Sequence, residues 1–196
     1  FQKTALTSVV LPEALTELGG GAFYQCTSLR KVAFGNSLTT IPSSCFENCS
    51  SLSSIVWSGS VTTIDSYAFQ KCISLTSVSI PDSVTTIGYE AFDGCSSLKE
   101  IYTGNGVTKI GGYAFGNCIS LEKIVLSYYL SVVGDNILYR DNNVVVYVYA
   151  GSQALKWAQE NGVNYRVMTF KPSAVTNLRV SSYGKNKTLL QWNYSA

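Results

Sequence analysis

VTTIDSYAFQKCISLTSVSIPDS, residues 61–83, is the clearest copy of a unit that repeats along this chain. Its apolar positions recur at the same offsets in the segments 15–37, 38–60, 84–106 and 107–129. Phenylalanines and cysteines show the repeat interval most plainly: Phe23, Phe46, Phe69, Phe92, Phe115, and Cys26, Cys49, Cys72, Cys95, Cys118. A fixed period of this length is typical of a solenoid, whose units bury their apolar faces only by stacking on one another.

Each unit is predicted to contain two extended pieces and one turn. The residues Ser77–Ile80 alternate polar and apolar side chains, which predicts a strand with its apolar side chains inward. Pro81 ends this strand. A second short extended piece is predicted at Val61–Ile64. The apolar residues within Tyr67–Cys72 fit a single helical or 3₁₀ turn.

The phrases VTTIDSYAFQKCISLTSVSIP and VTTIGYEAFDGCSSLKEI resemble the BspA-like class of bacterial leucine-rich repeats. The resemblance extends over roughly residues 6–138. It implies a right-handed, curved leucine-rich-repeat coil with a parallel β-sheet on its concave face. Members of this class are typically secreted or surface-attached proteins of host-associated bacteria and are implicated in adhesion. The periodicity alone predicts only stacked strand-and-turn units.

The domain prediction has three parts. Residues 1–138 comprise the repeats, with full copies at 15–37, 38–60, 61–83, 84–106 and 107–129 and partial copies at both ends. Residues 139–169 are predicted to form a β-α-β-like C-terminal cap, because a solenoid needs a distinct unit to cover its last open core face. Within the cap we expect a strand at Asn142–Tyr149, a helix with Ser152 as N-cap that Asn161 and Gly162 end, and a strand at Val163–Met168.

Residues 170–196 have a different composition. The stretch PSAVTNLRVSSYGKNKTLLQWNYS resembles the opening of a fibronectin type III domain, with Leu178 and Val180 on one strand and Leu190 and Trp192 on the next. Two strands cover about a quarter of a sandwich of ~100 residues, so the segment is predicted to be a truncated copy. A lone hairpin is marginally stable and has unpaired edges, so we expect it to pack on the cap or to associate with a second molecule.

The cysteines have three interpretations: disulfides, metal ligands or core residues. The chain has no histidine and no Cys-x-x-Cys pair, so a zinc site is poorly supported. The side chains at equivalent repeat positions point the same way into the core and cannot all pair. Cys45 occupies a position that holds alanine in other copies, and a strained disulfide to Cys49 is the alternative. We predict no disulfide and no metal, with buried free thiols at Cys26, Cys45, Cys49, Cys72, Cys95 and Cys118.

Composition excludes several classes of function. Without histidine the commonest general base is missing, and the carboxylates are spread over turns, so the chain is predicted not to be an enzyme and to need no cofactor. Charged residues make up 13% of the chain, and its net charge is +2, which does not favour nucleic acid as a partner. No stretch approaches the ~20 apolar residues of a membrane helix, so no membrane insertion is expected. Because the sequence begins at Phe1, a signal peptide or anchor is expected outside it.

The candidate binding surface is the outward face of the predicted strands, where side chains form columns across the repeats. The selected residues are Lys31, Ser54, Val56, Ser77, Ser79, Glu100, Tyr102, Lys123, Val125 and Tyr128. Tyr102 is the strongest candidate, because it is large in a column of small residues and tyrosine often anchors protein interfaces. An ordinary solvated sheet is the alternative interpretation. A competing patch lies on the opposite flank at Tyr67, Tyr89 and Tyr113.

Three functional hypotheses follow from these observations. The first is a non-catalytic, secreted or cell-surface bacterial module that binds an extracellular host or bacterial protein through the concave face and serves adhesion. The second is a structural spacer within a large surface protein. The third is a glycan- or cell-wall-targeting module of a multidomain enzyme; the concave columns lack the cluster of aromatic, acidic and amide residues that such a site needs.

Overall fold

The structure, a computed structural model, describes residues 1–169, 179–182 and 188–191. The first 169 residues form a solenoid whose strands lie in two rows, and the coils from β2 to β11 contribute one strand to each row. The first row, here called the concave sheet, contains β1 (Ser8–Val10), β2 (Lys31–Ala33), β4 (Ser54–Val56), β6 (Ser77–Ser79), β8 (Glu100–Tyr102), β10 (Lys123–Val125), β12 (Val145–Tyr149) and β13 (Tyr165–Met168). The second row contains β3 (Thr40–Ile41), β5 (Thr63–Ile64), β7 (Thr86–Ile87), β9 (Lys109–Ile110) and β11 (Val132–Val133).

Within each row, neighbouring strands pair in parallel. The register of the pairing is the same from one repeat to the next. Lys31 lies opposite Ser54, and Glu100 lies opposite Lys123, so each residue faces its counterpart in the next repeat. The second row is continuous from β3 to β11. The prediction of a leucine-rich-repeat solenoid with a parallel sheet is therefore confirmed, and the register explains why the sequence repeats so strictly.

The concave sheet is divided in two, which the sequence did not predict. One part has the order β1-β2-β4, and the other has the order β13-β12-β10-β8-β6. The second row continues across the same junction, where Thr63 and Ile64 of β5 pair with Thr86 and Ile87 of β7. The interruption is therefore confined to the concave side of the junction between β4 and β6.

A stack of phenylalanine rings forms the centre of the core. Successive rings from Phe1 to Phe115 are nearly parallel, with centroids 5.1–5.7 Å apart. Beside them each cysteine of the repeat position donates its thiol proton to the carbonyl oxygen of a phenylalanine in the preceding coil, as Cys72 does to Phe46 at 3.2 Å. These contacts repeat from coil to coil and fix the spacing between coils.

The segment between the two rows makes hydrogen-bonded turns. The N–H of Gln70 donates to the carbonyl of Tyr67, and that of Cys72 donates to Phe69, as in a 3₁₀ turn. Tyr67 and Lys71 have φ of 61° and 57°, so the turns do not continue as a helix. Both positions are left-handed in every coil: Gly21, Ser44, Tyr67, Glu90, Tyr113, Asn136, and Gln25, Asn48, Lys71, Gly94, Asn117, Arg140.

The last part of residues 1–169 is a β-α-β unit, as predicted. The helix α1 (Gln153–Glu160) begins after Ser152, whose hydroxyl oxygen accepts from the N–H of Leu155 at 3.2 Å. Ala154 and Ala158 of α1 are buried, and β12 pairs in parallel with β13. The unit extends the concave sheet and covers the end of the core.

The strands β14 (Arg179–Ser182) and β15 (Thr188–Gln191) form an antiparallel hairpin, with Val180 opposite Leu190. These are the two extended segments that the sequence predicted. Leu178 and Trp192 lie outside the described residues, as does the predicted packing of the tail. The fibronectin type III assignment stays a prediction.

Candidate binding surface

Four side chains form a connected cluster on the concave sheet, hereafter the concave cluster: Glu100, Tyr102, Lys123 and Tyr147. The Nζ atom of Lys123 donates to the hydroxyl oxygen of Tyr102 at 2.8 Å, and that hydroxyl donates to Oε2 of Glu100 at 3.0 Å. The same Nζ atom lies 4.8 Å from the ring centroid of Tyr102 and 5.4 Å from that of Tyr147. The cluster therefore combines two aromatic rings with one charge of each sign.

The parallel register creates this cluster. Glu100 and Tyr102 share the outward face of β8, because alternate residues of a strand face the same way. Lys123 lies opposite Glu100 on β10, and Tyr147 of β12 lies opposite Val125. The hydrogen bond to Tyr102 raises the pKa of Lys123 above its ordinary value, which means that the cluster stabilises the charged form of the ammonium.

A second aromatic group borders the concave cluster. The rings of Tyr128 and Tyr129 lie 5.2 Å apart at centroids, and Tyr128 lies 6.2 Å from Tyr149. A shallow cleft of about 170 Å³ lies between the groups, lined by Tyr102, Val125 and Tyr149 among others. Aromatic side chains are thus concentrated at the C-terminal half of the concave sheet.

The structure brings together only some of the residues that the sequence selected. Glu100, Tyr102 and Lys123 touch, and Val125 and Tyr128 lie beside them. The remaining selected residues lie away from the cluster, in or next to the divided part of the sheet: Lys31, Ser54, Val56, Ser77 and Ser79. Their side chains are exposed, except that of Ser54, which is half-buried. They form no cluster of their own among the described residues.

Two tyrosines of the site were missed by sequence reasoning. Tyr147 and Tyr149 were assigned to the cap, but β12 is a full member of the concave sheet and places both on its outward face. The step from Lys123 to Val145 is one position shorter than the repeat, so counting by whole repeats does not reach this strand. The alternation in VVYVY was the available signal, since it places both tyrosines on one face.

The competing patch is also a connected structure, hereafter the tyrosine ladder. Tyr67, Tyr89, Tyr113 and Tyr139 make successive edge-to-face contacts, with centroids 5.6, 6.0 and 5.5 Å apart. The side-chain amide of Asn136 donates to the hydroxyl oxygen of Tyr113 at 2.9 Å. The ladder lies on the turn side of the coils, away from the concave sheet.

The thiols offer no nucleophile. All six cysteines are buried and free. Burial raises the pKa of Cys45 and of Cys49 to about 12, so both stay protonated at neutral pH.

A buried carboxyl group lies at the end of the cysteine ladder. Asp141 is buried, and neither of its carboxyl oxygens has a hydrogen-bond partner among the described residues. Burial raises its pKa to about 7. Asp93, in the same region, accepts from the side-chain amides of Asn117 at 2.7 Å and Gln70 at 3.2 Å. Asp141 belongs to the core rather than to a surface site.

Within the described part of the chain, no three histidine, cysteine, aspartate or glutamate side chains are arranged to hold a metal ion. In the same residues, no helix has the length and apolar character needed to cross a membrane.

Comparisons with known proteins agree with this geometry. The family model described as the BspA type leucine rich repeat region matches residues 1–122 and 62–150, in six copies. A leucine rich cell surface protein from Faecalibacterium prausnitzii is 33% identical, with a TM-score of 0.64 over 73% of this chain and 39% of that protein. A leucine rich repeat protein of T. pallidum is 25% identical, with a TM-score of 0.62 over 85% of this chain and 87% of that one.

A leucine-rich repeat protein from Bacteroides ovatus is 26% identical, with a TM-score of 0.61 over 86% of this chain and 44% of that protein. No curated protein sequence matches the chain. The chain spans 39% of the length of the F. prausnitzii protein, and thus corresponds to part of it.

The fold and the surface define a leucine-rich-repeat solenoid, an architecture that generally binds other proteins through extended surfaces. Within that class, this chain belongs to the BspA-type leucine-rich repeat family.

Proposed function

We propose that this chain is a non-catalytic module of a secreted or cell-surface bacterial protein, that it binds an extracellular host or bacterial protein, and that this binding serves adhesion. The concave cluster carries the proposal. Tyrosines and a partly covered lysine are concentrated there on rigid strands, and aromatic residues contribute much of the energy in protein interfaces. The cell-surface description of the F. prausnitzii relative supports the location.

The details of the concave cluster favour a protein over a glycan. Lys123 lies over two rings, and Glu100 already accepts from Tyr102, so the polar groups hold the rings in place. Val125 adds an aliphatic surface between Tyr102 and Tyr147. A partner with apolar side chains and a few hydrogen-bonding groups matches this surface.

Binding to a panel of purified extracellular-matrix proteins, measured on the immobilised chain, tests the proposal. We expect at least one panel member to bind, and Tyr102→Ala to weaken that binding at least tenfold, because it removes the central ring of the concave cluster. Tyr113→Ala on the tyrosine ladder is the matched control and should leave the affinity unchanged.

Two results would contradict the proposal. One is the absence of binding to every panel member. The other is a loss of binding in Tyr113→Ala while Tyr102→Ala binds normally, which would locate the site on the tyrosine ladder.

A further inference from the structure

The division of the concave sheet leaves two strand edges facing each other without a ladder. In the preceding junction the N–H of Phe34 donates to the carbonyl of Val56, and the N–H of Ser54 donates to the carbonyl of Arg30. Within residues 1–169, the counterparts one repeat later, from Trp57 to Ser79 and from Ser77 to Ser53, are not made. Most Cα–Cα distances between β4 and β6 exceed 8 Å, whereas paired strands lie about 4.7–4.9 Å apart.

The unpaired main-chain groups line an open cleft. It has a volume of about 270 Å³ and is bordered by Ser53, Ser54, Ile55, Trp57, Ser77, Val78 and Ser79. By the alternation of a parallel ladder, the groups that face the cleft are the C=O of Ser53, the N–H of Trp57, and both the N–H and C=O of Ile55, Ser77 and Ser79. On both walls, therefore, main-chain donors and acceptors alternate with the spacing that they have along the edge of a β-strand.

Trp57 lies at the point where the sheet divides. It is the largest side chain in its repeat position, which holds Leu11, Phe34, Ile80, Thr103 and Leu126 in other coils. Its indole stacks on Phe34 at 5.8 Å and meets the edge of Phe69 at 5.8 Å. The indole is bulkier than the side chains at this position in the other coils, and we attribute the opening of this junction to that bulk. Ile55, whose counterparts in β2, β6, β8 and β10 are buried, is only half-buried here.

We propose that the cleft between β4 and β6 binds an extended segment of a partner protein as an additional strand. Main-chain groups at strand spacing are complementary to the main chain of a peptide, and strand addition to an open edge is a recurring mode of peptide recognition. The proposal deepens the proposed function by naming a site and a kind of ligand. It rests on the proposed function in one respect, namely that the chain binds a protein.

The walls of the cleft also define which peptide fits. Ser54, Val56, Ser77 and Ser79 are its outward neighbours, so the outward side chains of the peptide lie beside small residues. Its inward side chains meet Ile55, Val78 and Trp57, so apolar residues belong there. No charged side chain lines the cleft. The nearest charged side chains on the outward face of the sheet are Lys31 on β2 and Glu100 on β8, each one strand away from the cleft. The fitting segment is uncharged and alternates apolar with small polar residues.

The test uses the whole chain and a displayed library of random short peptides. Peptides that bind the wild type are counter-selected against the variant Trp57→Ile. This variant carries at position 57 the residue type that the next coil has at Ile80, and we expect the two strand edges to pair in it. We expect the surviving peptides to alternate apolar and small polar residues and to bind Trp57→Ile at least tenfold more weakly. Leu11→Ile, in the same repeat position of the closed junction between β1 and β2, is the control and should bind as the wild type does.

A second variant and a second measurement keep the test independent of how Trp57→Ile folds. Ser79→Pro removes an N–H that faces the cleft, so the fold should be retained while peptide binding falls at least tenfold. Amide exchange of Ile55, Trp57, Ser77 and Ser79 should be fast in the free protein and slow in the peptide complex.

The proposal is overturned if no peptide survives counter-selection, if surviving peptides bind Trp57→Ile or Ser79→Pro as they bind the wild type, or if those amides exchange equally with and without peptide. Failure of the proposed function gives a different result, because Tyr102→Ala is expected to leave binding of these peptides unchanged.

Discussion

Asp141 follows Cys118 by one repeat interval and takes the position in its coil that a cysteine takes in the five coils before it. The thiol of Cys118 donates to the carbonyl oxygen of Phe92 at 3.3 Å, whereas both carboxyl oxygens of Asp141 are buried without a partner among the described residues. The ladder of thiols therefore ends in a carboxyl group that burial favours in its protonated form.

Stability is expected to fall with rising pH because of Asp141. Its pKa is raised from 3.8 to about 7 in the folded chain, so between these values the folded state binds a proton that the unfolded state has lost. The contribution of the protonated Asp141 to the free energy of unfolding is fully present below about pH 4 and is lost as pH rises through about 7. This loss amounts to about 2 to 4 kcal/mol. Urea unfolding at pH 5 and pH 8 measures it.

Asp141→Cys, which restores the residue of the ladder, should remove most of this pH dependence. The other titratable groups that face Asp141 are Asp93, whose raised pKa acts in the same direction, and Cys118. Asp135→Asn, at an exposed position earlier in the same coil, is the control and should keep the wild-type dependence. An unchanged pH dependence in Asp141→Cys would assign the effect to Asp93 instead.

The thiol–carbonyl ladder is expected to contribute to stability. Cys72→Ala removes the hydrogen bond to the carbonyl of Phe46 and leaves a small cavity, so the free energy of unfolding should fall by about 1 to 2 kcal/mol. Cys45→Ala should lower the free energy of unfolding by less, because other coils carry alanine at the position of Cys45, namely Ala22, Ala68, Ala91 and Ala114. Equal losses in the two variants, measured by chemical unfolding, would show that the ladder bonds add nothing.

The thiols are expected to be inert in the folded chain. All six are buried, and the pKa values of Cys45 and Cys49 near 12 leave almost no thiolate at pH 8. An aromatic disulfide reagent should therefore react only after denaturant is added, and then with all six. Rapid labelling of any thiol without denaturant would contradict the burial described above.

Residue type at the left-handed positions is expected to affect stability. Lys71 has φ of 57°, and its counterparts include Asn48 and Asn117, a residue type that tolerates this conformation. Lys71→Asn should raise the free energy of unfolding by about 0.5 kcal/mol, and Lys71→Val should lower it by about 1 to 2 kcal/mol. Thermal unfolding of both variants gives the comparison, and a Val variant as stable as the Asn variant would show that φ is not limiting there.

The sequence predicted the solenoid because a single interval governs every inward position. The interval of Phe46 and Phe69 fixes the stacking of coils, and the alternation in Ser77–Ile80 fixes which face is outward. Ser152 identified the start of α1 for an equally local reason, since its hydroxyl completes the first turn. Local patterns of this kind are sufficient for the fold.

The division of the sheet and the full concave cluster could not be predicted in the same way. Whether β4 and β6 pair depends on how the bulk of Trp57 packs against Phe34 of the preceding coil and Phe69 of its own coil, which is a property of neighbouring coils together. Tyr147 reaches Lys123 only because the last step of the register is one position shorter than the repeat. Packing across coils, rather than the repeat, determines these features.

The shared register of the strand rows and of the phenylalanine stack has a consequence for how such a chain lengthens. A coil added between two others finds the same partners above and below it, provided that it brings one complete repeat, since Phe92 already stacks on Phe115 as Phe69 stacks on Phe92. Each added coil extends the rod by about one strand spacing, roughly 4.7–4.9 Å. The distance at which a surface is held is therefore set by the number of whole coils, and gene duplication can change that reach in even steps without redesigning the core.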